Sequence, residues 1–159
     1  DNDIDIKEYI EESATMKGTI GDTLSGDDVK ITLTDALIYP RIEGEAFTDT
    51  PSEGKEYLVF FFNVENIDDE NNFVSIHNFT GYVDDTLVAS KILINNVDNV
   101  QYLSADLTPG KKARGYVAYE VDTNWKQFDI HYKENSFDYN DSMIFTVVNE
   151  ENNQNNNNA

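Results

Sequence analysis

Cysteine is absent from the 159 residues, so neither disulfides nor thiol chemistry can arise within them. Glycine is scarce and scattered, and no Gly-rich phosphate loop is present. Cations are few: 11 Lys and Arg stand against 31 Asp and Glu, for a formal net charge of −20. A surface of that sign repels phosphate backbones and anionic lipid headgroups, which argues against nucleic acid as a partner. No apolar run approaches the roughly 20 residues of a membrane span. Gly-x-Ser-x-Gly is missing, and neither of the two histidines, His77 and His131, has an obvious serine partner. No initiator Met precedes Asp1-Asn2-Asp3, as is expected of a processed or trimmed chain.

What the chain does have is a run of strand-forming residues from Tyr57 to Val64, interrupted only by Asn63. Alternate side chains of a strand point to opposite faces. Leu58, Phe60, Phe62 and Val64 then share one face, and Tyr57, Val59 and Phe61 the other. Both faces are apolar, so this strand is expected at the centre of a sheet and covered on both sides, with Phe60 in the core.

Shorter strands flank it. Thr19–Leu24 reads as an edge strand. Val29, Ile31 and Leu33 alternate with Lys30, Thr32 and Thr34, and the alternation lapses over Ala36–Tyr39 as at a bulge. A less regular strand is expected over Phe73–Val83, a short strand or helical turn over Leu87–Leu93, and a short strand within Val100–Leu107. After the Pro109-Gly110 turn, Val117, Tyr119 and Val121 share one face of a strand and Arg114, Tyr116 and Ala118 the other. Phe128, Ile130 and Tyr132 alternate as a hairpin partner to that strand, with Trp125 in the polar turn between them. Met143–Val148 is a last strand.

This pattern gives an all-β fold, an immunoglobulin-like antiparallel β-sandwich of seven to nine strands over residues 18–148. Residues 1–17 are a linker or short helix, the helix falling within residues 4–14. Residues 149–159 are an Asn-rich, structureless tail.

The order Ile20-Gly-Asp-Thr23, Tyr57-Leu-Val-Phe-Phe-Phe62, Val64-Glu-Asn66, Leu107-Thr-Pro-Gly-Lys-Lys112 and Gly115-Tyr-Val-Ala-Tyr-Glu-Val121 resembles a known family. It is similar to the immunoglobulin-like domain of unknown function in surface lipoproteins of Gram-positive bacteria, of the immunoprotective extracellular protein superfamily. The resemblance implies an extracellular domain tethered to the outer face of the cell membrane through a lipid-bearing Cys upstream of Asp1. It carries over no active site, and the expected function is a non-enzymatic binding or structural module of the cell envelope.

Three constellations remain. Asp68, Asp69 and Glu70, and separately Asp138 and Asp141, cluster hard oxygen ligands of the kind calcium prefers, so calcium is the one cofactor considered and a calcium-dependent surface module the first alternative. Solvated turns explain the same runs without metal. Trp125 caps the core from the hairpin end or, as the alternative, Tyr116, Trp125 and Tyr132 are candidates for a patch that binds a protein or glycan partner. His77 and His131 lack the Cys or the close His spacing of a zinc site and read as ordinary strand residues. A small hydrolase on a β-sandwich is the second alternative, without a nucleophile to name.

Overall fold

The computed structural model describes residues 16–134 and 143–157. The helix expected within residues 4–14 and the candidate ligands Asp138 and Asp141 lie outside the described residues. Fourteen strands occur among the described ones. In chain order they begin with β1 (Met16–Gly18), β2 (Thr23–Ser25), β3 (Val29–Tyr39), β4 (Ile42–Glu43) and β5 (Thr48–Asp49). β6 (Lys55–Asn66), β7 (Asn72–Ser75), β8 (Phe79–Val83), β9 (Thr86–Val88) and β10 (Ser90–Lys91) follow. The last are β11 (Ser104–Leu107), β12 (Lys112–Asp122), β13 (Gln127–Tyr132) and β14 (Met143–Val148), and then comes helix α1 (Glu150–Asn157).

Two five-stranded sheets face each other. The front sheet runs β10-β12-β6-β3-β2 and the back sheet β1-β14-β13-β8-β9, while β4-β5 and β7-β11 form two-stranded ribbons. Every pairing is antiparallel except β1 with β14. The fold is therefore the expected immunoglobulin-like sandwich, with more strands than seven to nine because its edges are closed by pieces of two or three residues.

β6 is the middle strand of the front sheet. Its two faces divide as the alternation requires. Leu58, Phe60, Phe62 and Val64 enter the core between the sheets. Phe60 is fully buried there, with ring centroids 5.0 Å from Phe128 and 5.9 Å from Tyr119. Tyr57, Val59 and Phe61 join a second, outer cluster with Tyr116, Ala118, Ile42, Leu93 and Val97. The segment between β10 and β11 covers that outer face. It is pinned by Asp49, whose carboxylate accepts from the amides of Ile94 (2.8 Å) and Asn95 (2.9 Å) and from Asn95 Nδ2 (3.0 Å). β3 changes register between Leu33 and Asp35, a bulge just before the stretch where its alternation lapses.

Several expectations are corrected. The edge strand over Thr19–Leu24 is two strands in different sheets. Residues 19–22 turn from β1 in the back sheet to β2 in the front sheet, and Gly21 at φ +93° sits in the left-handed region the turn needs. Phe73–Val83 is likewise broken, by a 3-10 turn at Ile76–Asn78 capped by Ser75. β13 is no hairpin partner of β12: it pairs with β8 and β14 across the sandwich. The β12–β13 link thus carries Trp125 over the open end of the core, where it is 2% exposed and donates from Nε1 to Glu56 at 3.1 Å. The tail expected to be structureless from Asn149 forms α1. Asn152 Nδ2 donates to the carbonyls of Thr123 (3.0 Å) and Trp125 (2.7 Å), so the polar tail satisfies the backbone of that same link.

Candidate functional site

The predicted site residues do not come together. Tyr116, Trp125 and Tyr132 are each buried to within 2%, Trp125 and Tyr132 in the inner core and Tyr116 in the outer cluster. They form no exposed patch, because all three sit on inward positions of strands or of the link between the sheets. Burial, and then the nearby Asp49 carboxylate, push the Tyr116 phenol up to about 12.

Asp68, Asp69 and Glu70 are engaged in closing a turn. Asn66, fully buried, organises it: its Nδ2 donates to the carbonyls of Glu70 and Leu107, both at 2.8 Å, and its Oδ1 accepts from Asp68 N (2.9 Å) and Asn72 Nδ2 (3.0 Å). Asp68 Oδ1 accepts from Asp69 N at 2.8 Å, and its other oxygen faces Asn72 Nδ2. The donation from Asn72, with that from the Asp69 backbone, holds the Asp68 carboxyl below its ordinary value. Among the described residues no three His, Cys, Asp or Glu converge as a metal set. His131 lies against the Tyr82 ring at 5.0 Å, and burial lowers its basicity.

The feature that does gather functional groups is on the outer face of the front sheet. Register places Lys30, Glu65 and Lys112 side by side across β3, β6 and β12, and Thr32, Asn63 and Arg114 in the next row. Glu65 Oε1 lies 3.9 Å from Lys30 Nζ and 3.8 Å from Lys112 Nζ. Arg114 is held more firmly. Its Nη1 donates to Thr34 Oγ1 (2.8 Å) and Asn63 Oδ1 (3.0 Å), and its guanidinium lies 5.4 Å from the Phe61 ring centroid. Those bonds use the two Nη1 hydrogens. The three other guanidinium N–H groups have no bonded partner among the described residues. Together these residues line an open groove of about 450 Å³. Three cations against one carboxylate make it a positive shelf on a strongly negative molecule.

Sequence reasoning passed over this shelf. It places Lys30 and Thr32 on a wet strand face and Arg114 beside Tyr116, but the three cations meet only once β3, β6 and β12 are in register. Summing charge over the outward positions of neighbouring strands is the signal that finds them.

Comparison with known proteins bears on the fold. The model of a family described as a domain of unknown function (DUF4352) matches residues 18–155. No curated protein matches the chain. Among solved structures, a candidate lipoprotein (ycdA) from Bacillus subtilis is similar at TM-score 0.65 and 18% identity, over 80% of this chain and 38% of that one. The present chain thus spans well under half of that lipoprotein. An uncharacterized β-sandwich protein from Clostridium difficile 630 is similar at TM-score 0.56 and 9% identity, over 84% of this chain and 95% of the other. The secreted protein MPT63 of Mycobacterium tuberculosis is similar at TM-score 0.54 and 12% identity, over 84% and 98%.

Proposed function

We propose, from the premise that this chain belongs to the DUF4352 family of domains of unknown function, that it is a non-enzymatic binding module of the cell envelope which engages an anionic group. The observation that carries the reading is the gathering of Lys30, Lys112 and Arg114 in one groove. A chain with 11 cations among 159 residues commits three of them to one face. Arg114, pre-ordered by Thr34, Asn63 and Phe61, loses little freedom on meeting a carboxylate or phosphate. The negative field of the whole molecule repels a polyanion that comes within about a Debye length, about 8 Å, of the surrounding surface, so the shelf suits a single anionic group on an otherwise uncharged ligand.

The extracellular setting is part of the proposal. It is supported by the lipoprotein and secreted descriptions of two structural neighbours and by the resemblance to Gram-positive surface lipoprotein domains of the immunoprotective extracellular protein superfamily. On this reading the protein meets its partner, a protein or glycan bearing the anion, outside the cell, and any membrane attachment is through a lipid anchor.

The test is titration of the isotope-labelled protein with sodium phosphate, and separately with sodium acetate, at fixed ionic strength. Saturable shifts at the Asn63, Glu65 and Arg114 amides, with Kd on the order of 1 mM, are expected. They should vanish in Arg114→Gln. The phosphate and acetate arms separate the two anion chemistries. Equal shifts in wild type and variant would remove the shelf as the site.

A further inference from the structure

β3 is eleven residues long, yet its outer neighbour β2 pairs only with Lys30–Thr32. The amide of Leu33 donates to Asp22 and its carbonyl accepts from Gly21. From Thr34 to Tyr39 no described strand lies on that side. The outermost strands themselves, β1, β2, β9 and β10, are only two or three residues long. Short edges, Lys, Pro and bulges are the usual protection against unwanted pairing. The Ala36–Ile38 stretch has none of these: the bulge precedes it and Pro40 follows it.

The orientation of its backbone follows from alternation. Leu33 points its amide and carbonyl outward, so Thr32 faces β6, and the β6 residues bonded to β3 are Asn63, Phe61, Val59 and Tyr57. Past the bulge, Asp35, Leu37 and Tyr39 therefore face β6, and Ala36 and Ile38 present their amides and carbonyls to the open edge. Leu37 is 41% and Ile38 43% exposed.

We propose that this edge pairs antiparallel with the same edge of a second copy, about a two-fold axis at Leu37, joining two front sheets into one. The edge is self-complementary in that register. Ala36 lies opposite Ile38, so four backbone hydrogen bonds form, and Leu37 faces Leu37 as a non-hydrogen-bonded pair. Asp35 falls opposite Tyr39, so no carboxylate meets a carboxylate. The segment between is uncharged, in a chain of net charge −20 whose other surfaces repel their own kind. The axis is perpendicular to the sheet, so the two cationic shelves open on the same side of the dimer.

The full chain is tested by sedimentation from about 10 µM to about 1 mM, in ~0.3 M sodium chloride to screen repulsion. A monomer–dimer equilibrium that weakens at least tenfold in Leu37→Lys is expected. Leu37→Cys supplies a second readout, because cross-strand Cβ atoms in such a pair are about 4.5–5.5 Å apart, close to disulfide reach. In a chain otherwise free of cysteine, Leu37→Cys should cross-link under mild oxidation well before Leu87→Cys, which is 66% exposed on β9. A wild type that stays monomeric throughout overturns the proposal. So does a dimer that survives Leu37→Lys, or equal cross-linking of the two cysteine variants. Slow amide exchange at Ala36 and Ile38 in a strict monomer would instead assign the edge to another occupant, residues 1–15 of the same chain included.

Discussion

Tyr119 on β12 packs its ring onto the bare backbone of Gly81 on β8: a Cβ at Gly81 would lie 2.6 Å from Tyr119 Cε1 and 2.6 Å from Phe128 Cζ. One glycine thus leaves room for two rings, Tyr119 from the opposite sheet and Phe128 from the neighbouring strand. Neither ring is a flexible end that can swing away, so Gly81→Ala overpacks the core and should cost about 1–3 kcal/mol. A urea melt reads this directly, and an unchanged midpoint would mean that the sheets separate freely at β8.

The hydroxyl of the same Tyr119 is buried without a hydrogen-bond partner among the described residues. Burial also pushes its ionisation well above the ordinary range. Removing an unpaired buried polar atom while keeping the ring should stabilise the fold. Tyr119→Phe is expected to gain about 1 kcal/mol, the lower end of the penalty for an unsatisfied group. Loss of stability would show that the hydroxyl has a partner, such as a bound water.

Phe60→Ala and Trp125→Ala should be similarly damaging. Each deletes a large side chain from the inner core, at about 3–5 kcal/mol. That is a large part of the roughly 5–15 kcal/mol that holds a domain together. Comparison of the two denaturation midpoints checks it, and a Trp125 effect near 1 kcal/mol, typical of a turn residue, would place the indole outside the core.

Glu134, just past β13 of the back sheet, reaches the start of β3 in the front sheet by accepting from the amides of Asp28 (3.1 Å to each oxygen) and Val29 (3.2 Å). Burial raises its carboxyl above the ordinary 4.5, against the pull of those amides, and the Asp28 and Asp27 charges add to the rise. The folded state therefore takes up this proton before the unfolded state does. Its contribution becomes more favourable as pH falls through the raised value toward 4.5 and is least favourable above it. Melting temperatures of wild type minus Glu134→Gln should rise between about pH 7 and about pH 4.5. A difference that falls over that interval would reverse the assignment.

Calcium should gain nothing from the Asp68–Asn72 turn, where the Glu70 carbonyl already serves Asn66 and the Asp68 carboxylate serves Asp69 and Asn72. Any calcium-induced rise in melting temperature, taken at matched ionic strength, should be the same in Asp68→Asn as in the wild type. A smaller rise in the variant would restore that turn as a ligand set.

The central strand was legible in the sequence because period-two alternation is local: Leu58, Phe60 and Phe62 fall on one face wherever the strand goes. The same holds for Val117, Tyr119 and Val121. That Trp125 caps the core was legible, but the path of the chain around it was not, because Asp122-Thr-Asn-Trp125 specifies a bend and not its destination. A hairpin and a crossing to the opposite sheet begin with the same residues. The cationic shelf needs three strands in register, which no single stretch encodes. The helical tail escaped notice because its apolar content is nil; it is held by Asn152 and Asn153 donating to backbone carbonyls rather than by burial.

The two clusters on β6 need not open together. The inner one is locked by both sheets, whereas the outer one lies under a single strip of chain latched by the Asp49 carboxylate and by Tyr39 donating to Asp98 at 2.9 Å. Freeing that latch uncovers Tyr57, Phe61 and Tyr116 and leaves the sandwich intact. Phe61 is also the ring beneath Arg114, so the guanidinium that meets solvent in the groove rests on a ring whose surroundings change when that strip lifts.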